Sequence, residues 1–571
     1  MRIKVSRSKN SISYFVIKDV YRNNKRTTKV VESLGNHEEI LKRHPGTDPY
    51  TWAKEYAKKL TLEEKENNHK IMAKYDPSKQ IELGKQTLFN TGYLFLQSIY
   101  HELKLDKVCQ EISRKYEFEY DLGEILTRLL YLRILHPTSK KGTFEHAKDL
   151  LEPAHFQSHQ IYRALNVLEE QSDFIEEKVY KNSLNVVGRN TQVLYYDCTN
   201  FFFEIEEEDS LREYGVSKEN RPNPIVQMGL FMDGSGLPLA FSMNPGSTNE
   251  QPTLKPLEKR ILKDFNLSKF IVCTDAGLSS NGNRIYNTYG ERAFVTTQSI
   301  KKLKKFLKEW ALDSEGWRIP GSHKKMNLDD IRQLENDKRT YYKEQWIKEN
   351  DLEQRLIVTY SPVYERYQSS IREKQIERAI KKIDKPASLN KQHQNDPKRF
   401  IKSTHVTDDG EIADKNQVVL NQEQIDKESM YDGFYAVCTN LESPIEEVIK
   451  INQGRWEIEE TFRILKSEFR TRPVYLQRES RIKAHFLTCF LSLMIYRILE
   501  KKVDERFTCP ELVSTLRNMN MRELDGEGYI PAFTRTEITD ALHDAFGFRT
   551  DFEIVTQKNM KNILKQTKKG K

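Results

Sequence analysis

Val193-Leu-Tyr-Tyr-Asp197-Cys-Thr-Asn-Phe-Phe-Phe203 is the stretch that decides the fold. It is an apolar, aromatic-rich run of strand length and reads as a buried β-strand. Asp197 interrupts it. A carboxylate inside an apolar strand is costly unless it is paired or ligates a metal. Downstream, Ile225–Met232 and Leu237–Met243 read as two more strands, joined by Asp233-Gly-Ser-Gly, a strong hairpin signal. A helix is expected over Thr253–Phe265. Phe270-Ile-Val-Cys-Thr-Asp275-Ala then reads as a second buried strand ending on an aspartate. A short helix at Asn283–Tyr289 and a strand at Ala293–Thr297 follow. This order gives an α/β core: a mixed sheet with helices on its faces.

The flanks differ from this core. Residues 1–35 read as a small β meander turning at Arg22-Asn-Asn-Lys25. It is basic: residues 1–30 hold nine Lys or Arg against one acid, Asp19. Residues 84–188 are helical, with Leu122–Leu135 carrying apolar residues at three- and four-residue steps and Pro137 ending the run. They fit a helical bundle better than a helix-turn-helix reader. Residues 300–430 are polar and read as an insertion, with a strand at Arg355–Tyr360, a charged helix near Ser369–Ile383 and a loop-like stretch at Asp384–Gln424. The core pattern returns with a strand at Gly433–Asn440. Ser443 then reads as an N-cap, with Pro444 in the first turn and Glu446 closing a capping box. One helix is expected from there to about Phe469, with Trp456 in the core, followed by an apolar helix at about 484–499. The divisions are 1–83, 84–188, 189–299, 300–431, 432–500 and 501–571.

The chain has 571 residues, 37% hydrophobic and 31% charged, with a net charge of +8. Full disorder is excluded by the aromatic content and near-even charge balance. The last fifteen residues hold six lysines and no acid, and read as a disordered tail with salt-dependent phosphate affinity. Basic ends point to a polyanion partner, most plausibly nucleic acid. The six cysteines form no C-x-x-C pair, which fits a reducing compartment. Residues 1–30 lack a signal-peptide core, and the 484–499 run is too short to span a bilayer, so an intracellular protein without membrane contact is expected. No Walker A loop or G-x-G-x-x-G fingerprint occurs, so no nucleotide cofactor is implied.

Arg455, Glu459, Phe462 and Lys466 fall at i, i+4, i+7 and i+11, one stripe of a helix. Packed beside the sheet, that stripe would bring Glu459 toward Asp197 and Asp275. Three converging carboxylates make an oxygen-ligand site for Mg²⁺ or Mn²⁺. Two such ions serve phosphodiester chemistry by activating a water or 3′-hydroxyl and stabilising the leaving oxygen. Two plainer readings stand beside this one. Arg455 and Glu459 make an ordinary i,i+4 ion pair, and Asp275 caps the turn that follows it.

These residues resemble the DDE transposases of bacterial insertion sequences, in the IS-four superfamily, whose glutamate helix carries Y-x2-R-x3-E-x6-K. Here that helix reads Asn452-Gln-Gly-Arg455-Trp-Glu-Ile-Glu459-Glu-Thr-Phe-Arg-Ile-Leu-Lys466. Arg, Glu and Lys match in spacing, and Asn452 departs from the signature tyrosine. The blocks around Asp197, Tyr214–Gln227, Pro245–Glu250 and Thr274-Asp275-Ala-Gly resemble the family's other segments. The resemblance implies an RNase H-like catalytic core with an insertion domain, a helical N-terminal DNA-binding or dimerisation region and a bacterial, nucleoid-associated location. It implies that Asp197, Asp275 and Glu459 are catalytic metal ligands for two ions. Arg455 and Lys466, and more loosely Lys218, Arg221 and Arg463, would contact DNA. The partners implied are terminal inverted repeats, target DNA and a second copy of the chain in a synaptic dimer. In the insertion, Trp310, Trp317 and Trp346 become candidates to stack on a displaced base. A nuclease or junction resolvase, or a transposase-derived DNA-binding protein without catalysis, are the competing functions.

Overall fold

A computed structural model describes residues 1–8, 11–22, 25–67, 77–383, 396–405 and 416–569. They form two compact units, Met1–Lys85 and Gln86–Lys571. In the first unit, β1 (Arg2–Ser8), β2 (Ser11–Arg22) and β3 (Lys25–Asn36) form an antiparallel sheet. Arg22 pairs with Lys25, as a hairpin requires, and the turn residues between them lie outside the described residues. Asn36 and Glu39 form a capping box that starts the helix His37–Arg43. That helix and Pro49–Asn67 cover the sheet through a small core of Tyr14, Val16, Leu34, Ile40, Ala53 and Ala57.

The second unit opens with β4 (Leu88–Asn90) and a set of helices that includes Leu122–Leu135 and Ser158–Glu170. Then come β5 (Val193–Phe202), β6 (Ile225–Asp233), β7 (Pro238–Pro245), β8 (Ile271–Thr274), β9 (Ala293–Thr297), β10 (Tyr341–Glu349) and β11 (Leu352–Tyr360). A separate pair, β12 (Ile401–His405) and β13 (Asn416–Leu420), precedes β14 (Phe434–Thr439). Near the C-terminus, β15 (Asn520–Leu524), β16 (Gly528–Pro531) and β17 (Val555–Thr556) join β4 in a small sheet. The main sheet has eight strands in the order β10-β11-β14-β9-β8-β5-β6-β7. β5, β6 and β7 are antiparallel, whereas β5, β8 and β9 run parallel. The segment β7-β6-β5-β8-β9 is the RNase H-like mixed sheet expected from the sequence. The Asp233 hairpin between β6 and β7 is locked by a fully buried ion pair from Arg189 Nε to Asp233 Oδ2 at 2.6 Å.

Both sheet faces are covered. Leu194, Tyr196 and Cys198 of β5 pack with Leu254, Leu257 and Ile261 of the helix Leu254–Asp264. The alternate residues Val193, Tyr195 and Phe201 share a core with Ile451, Ile458 and Phe462 and with the long helix Glu479–Lys502. This 24-residue helix is longer than the sequence pattern indicated, and long and apolar enough to cross a membrane. However, its apolar window is 94% buried within the protein. It is a core helix, packed on Leu122–Leu135 and Ser158–Glu170.

Several expectations are corrected. The helix after Ser443 is two helices, Ile445–Gln453 and Trp456–Ser467, and no side chain caps the first. The break falls at Gly454, where a Cβ would run into the hydroxyl of Tyr195. Tyr195 donates to the Ile451 carbonyl at 3.1 Å, so only glycine lets the helix end pass so near the strand. Trp456, expected in the core, is 58% exposed because it lies on the face of its helix opposite the buried stripe of Ile458, Thr461, Phe462 and Leu465. The insertion is not wholly separate from the core, since β10 and β11 extend the main sheet through β14. The stretch Asp384–Gln424 contains a 3-10 turn at Pro397–Phe400, the β12–β13 pair and the start of the helix Gln422–Ser429, and residues 384–395 and 406–415 lie outside the described residues. The lysine-rich C-terminus is ordered as the helix Gln557–Thr567, anchored by buried Met560 and Ile563, with Lys568 paired to Glu152. Only its last two residues lie outside the described ones.

Candidate active site

The parallel register fixes the two aspartates. Tyr195 of β5 stands opposite Cys273 of β8, and Cys273 opposite Val295 of β9. Asp197 lies two residues past the last β5–β8 pair, and Asp275 directly follows the last residue of β8. Continuing the register by two residues puts Asp197, Asp275 and Thr297 in one row, and Asp275 is near enough to raise the Asp197 pKa. Strands lie about 4.8 Å apart, so the two carboxylates leave adjacent backbones at the same level. The period of two then gives their face. Tyr195 Oη and Cys273 Sγ both donate to the Ile451 carbonyl, so Asp197 and Asp275, of the same parity, share the face covered by the two helices after Ser443.

Asp197 is half-buried, and one of its oxygens accepts from the Cys198 N–H at 2.7 Å. Burial pushes its carboxyl up to about 6, with Asp275 adding to the rise and Lys218 and Arg455 opposing it. Asp275 accepts from the Leu278 N–H at 3.0 Å, so it does cap the following turn, with its second oxygen left for other work. Lys218 is brought in by its loop: Asn200 of β5 accepts from the Lys218 N–H at 3.2 Å and donates to the Val216 carbonyl at 3.0 Å. The Lys218 ammonium donates to the Cys198 carbonyl and pairs with Glu250 Oε1 at 2.9 Å. Burial works against its charge, but Asp197 and Glu250 outweigh that and raise its pKa.

Arg455 sits at the helix break. One Nη donates to Thr297 Oγ1 at 3.3 Å and the other to Glu459 Oε1 at 2.8 Å. Thr297 belongs to the aspartate row, so Arg455 ties the glutamate to the end of that row. Glu459 itself is 58% exposed, with Arg455 as its partner. Among the described residues, no three Asp, Glu, His or Cys side chains gather closely enough to hold a metal ion. The donor chemistry of Asp197 and Asp275 fits an oxygen-seeking divalent cation.

Lys466 lies 5.6 Å from the Phe201 ring centre and pairs with Glu219 Oε1 at 3.3 Å. Burial lowers its pKa, and Glu219 opposes this. Arg221 stacks over Phe202 at 5.1 Å. Arg463 is engaged by Glu460, three residues before it, and does not enter the aspartate row. Of the tryptophans in the insertion, Trp317 is fully buried against Tyr360 and Phe434. Trp310 packs partly buried under Lys343, and Trp346 on β10 is 48% exposed. Sequence reasoning missed Thr297, Glu250, Glu219 and Arg472. Glu250 and Glu219 lay in segments already singled out, Pro245–Glu250 and Tyr214–Gln227, whereas Thr297 and Arg472 are brought in by contacts between distant segments.

The sheet order defines an RNase H-like fold. Residues 208–495, just over half of the chain, match the family model described as a transposase DDE domain, and the chain belongs to that family. The match includes Asp275 and Glu459 and begins eleven residues after Asp197. Among solved structures, a cryo-EM structure of the piggyBac transposase synaptic complex with hairpin DNA is similar at 10% identity, with a TM-score of 0.36 over 83% of this chain and 84% of that chain. No curated protein matches.

Proposed function

We propose that this chain is an insertion-sequence transposase of the IS-four branch. It binds terminal inverted repeats, cleaves the phosphodiester bonds at the element ends and joins the freed 3′-hydroxyls to target DNA. The observation that carries this reading is the electrostatic grouping of Asp197 on β5 with Asp275, just past the end of the parallel strand β8, and with Arg455, which holds Glu459. Asp197, Asp275 and Glu459 would hold Mg²⁺ or Mn²⁺, two ions in all. When bound, such ions lower the pKa of the attacking water or hydroxyl and stabilise the leaving oxygen.

The chain's own groups do the positioning. Lys218 faces Asp197 and holds a phosphate oxygen beside it. Arg455 keeps Glu459 at the site's edge in the DNA-free protein and transfers to a phosphate when DNA enters, freeing the carboxylate. The exposed Trp346, on the same sheet face by its register with Arg355 and Thr439, is the tryptophan of the insertion available to a displaced base. A dimer brings the two ends together, each protomer cutting the end bound by the other.

The test is cleavage of DNA carrying the sequences that flank this protein's own reading frame, with Mg²⁺ or Mn²⁺. Wild type is expected to cut at the element ends. Asp197→Asn, Asp275→Asn and Glu459→Gln should each lose at least about 100-fold in rate while still binding the same DNA. Retention of activity by both aspartate variants rejects the catalytic assignment. Retention by Glu459→Gln alone removes Glu459 from the ligand set.

A further inference from the structure

A second cationic feature lies beyond the aspartate row, and it is already occupied. Glu219 sits with one carboxylate oxygen on Lys466 Nζ at 3.3 Å and the other on the Arg472 guanidinium. Arg472 in turn stacks over Phe202 at 4.6 Å, where Arg221 also lies, and Lys466 lies near Phe201. The three members of this ion-paired group are mostly covered, with side-chain exposures of 19% for Lys466, 24% for Arg472 and 25% for Glu219. Two cations thus converge on one carboxylate at the end of the strand that carries Asp197, each of them also within reach of an aromatic ring there, Arg472 of Phe202 and Lys466 of Phe201. A guanidinium and an ammonium holding two oxygens of one anion are also the arrangement that receives a phosphodiester.

We propose that Arg472 and Lys466 form a backbone-phosphate subsite for DNA, in which the Glu219 carboxylate takes the place of the phosphate until DNA displaces it. The inference rests on the reading of the protein as a DNA-cleaving transposase. Phe201 is four residues from Asp197, about 13 Å along an extended strand, or about four nucleotides of rise along one DNA strand. The subsite therefore serves a phosphate other than the reacting one. Glu219 neighbours Lys218 in sequence, and the Lys218 loop is pinned to β5 through Asn200. Displacing Glu219 shifts the loop that presents Lys218 to Asp197, so filling the distal subsite reports directly to the site of cleavage.

The experiment measures affinity of the full chain for a random-sequence DNA duplex across a salt series, with melting temperature as the folding control. Glu219→Gln keeps the shape and removes the competing charge; Glu219→Ala is the second variant should the first fold poorly. Either is expected to tighten binding by about three- to tenfold. Arg472→Ala should weaken binding and reduce the slope of log K against log salt by about one. In the Arg472→Ala, Lys466→Ala background, Glu219→Gln should give no gain. Glu207→Gln, an equal charge change on an exposed neighbour outside the cluster, should leave affinity within about twofold. Unchanged or weaker binding by the folded Glu219 variants overturns the inference, as does an equal gain from Glu207→Gln. If wild type neither binds duplex nor cuts element ends, the reading as a transposase fails instead. Normal wild-type binding and cutting with no effect at Glu219 defeats this subsite alone.

Discussion

Arg455 carries more of the site than its ion pair alone would indicate. An exposed i,i+4 pair contributes a few tenths of a kcal/mol, but this guanidinium also reaches Thr297 in the aspartate row and helps hold Asp197 ionised. Arg455→Lys keeps the charge and cannot span both partners. Cleavage by that variant should fall about tenfold or more with DNA affinity within about threefold, read as rate at saturating DNA against binding constant. A second residue-scale consequence concerns stability. Lys140 is buried beside Arg133, donates to His485 Nδ1 at 3.2 Å, and pairs with no carboxylate among the described residues. Burial, with Arg133 adding to it, pushes its pKa down to about 7. The folded state then favours the neutral amine, whereas the unfolded chain stays protonated up to about 10.5. Between these values the unfolded state binds more protons, so stability rises with pH through this window and is lost as pH falls toward 7. Lys140→Met should therefore raise the melting temperature at pH 7 and flatten its rise toward pH 9.5. A melting temperature lowered at pH 7 would show that the ammonium is satisfied in place.

At the scale of elements, Gly454 decides where the glutamate helix begins. Placing a Cβ against the Tyr195 hydroxyl forces strand and helix apart two residues before Asp197. Gly454→Ala should cost about 2 kcal/mol or more in unfolding free energy. Adding Tyr195→Phe should recover part of that loss, a coupling that denaturant titration of the double-mutant cycle would reveal. The contrast also shows what was legible in the sequence. β5, β6, β7, β8 and β9 could be read because each is a short apolar run bounded by turn residues, and the Asp233 hairpin fixes one pairing locally. Asp197 and Asp275 stood out because they break or end such runs. The helix break was illegible, since the group packed against Gly454 is a tyrosine more than 250 residues away, and Arg455, Glu459 and Lys466 keep their helical spacing because all three lie after it. Trp456 was misplaced because it lies off the buried stripe of its own helix. β10 and β11 could be seen as strands only in part, and nothing local indicates that they extend the main sheet through β14. The C-terminal helix was hidden by its lysines, which occupy its outer face while Met560 and Ile563 anchor it.

At the scale of the whole molecule, the basic excess and the carboxylates are divided between the two compact units. The first unit holds its own core around Tyr14, Val16 and Ile40 and carries nine basic residues in its first thirty. The second holds the RNase H-like sheet and every residue of the candidate site. A unit with its own core adds affinity through its charge without being needed for the fold of the other. Removing Met1–Lys85 should then leave the melting transition of the remaining chain within a few degrees of its place in the full protein. Duplex affinity at low salt should fall by about tenfold or more, and the salt slope should shrink by about three, as expected when several phosphate contacts are lost together. The remaining chain should keep the response to Glu219→Gln, because the Lys466–Arg472 subsite lies wholly within it. Equal affinity with and without the first unit would mean that its basic strands face no DNA. The duplex contacts would then come from the second unit, Lys218, Lys466 and Arg472 among them.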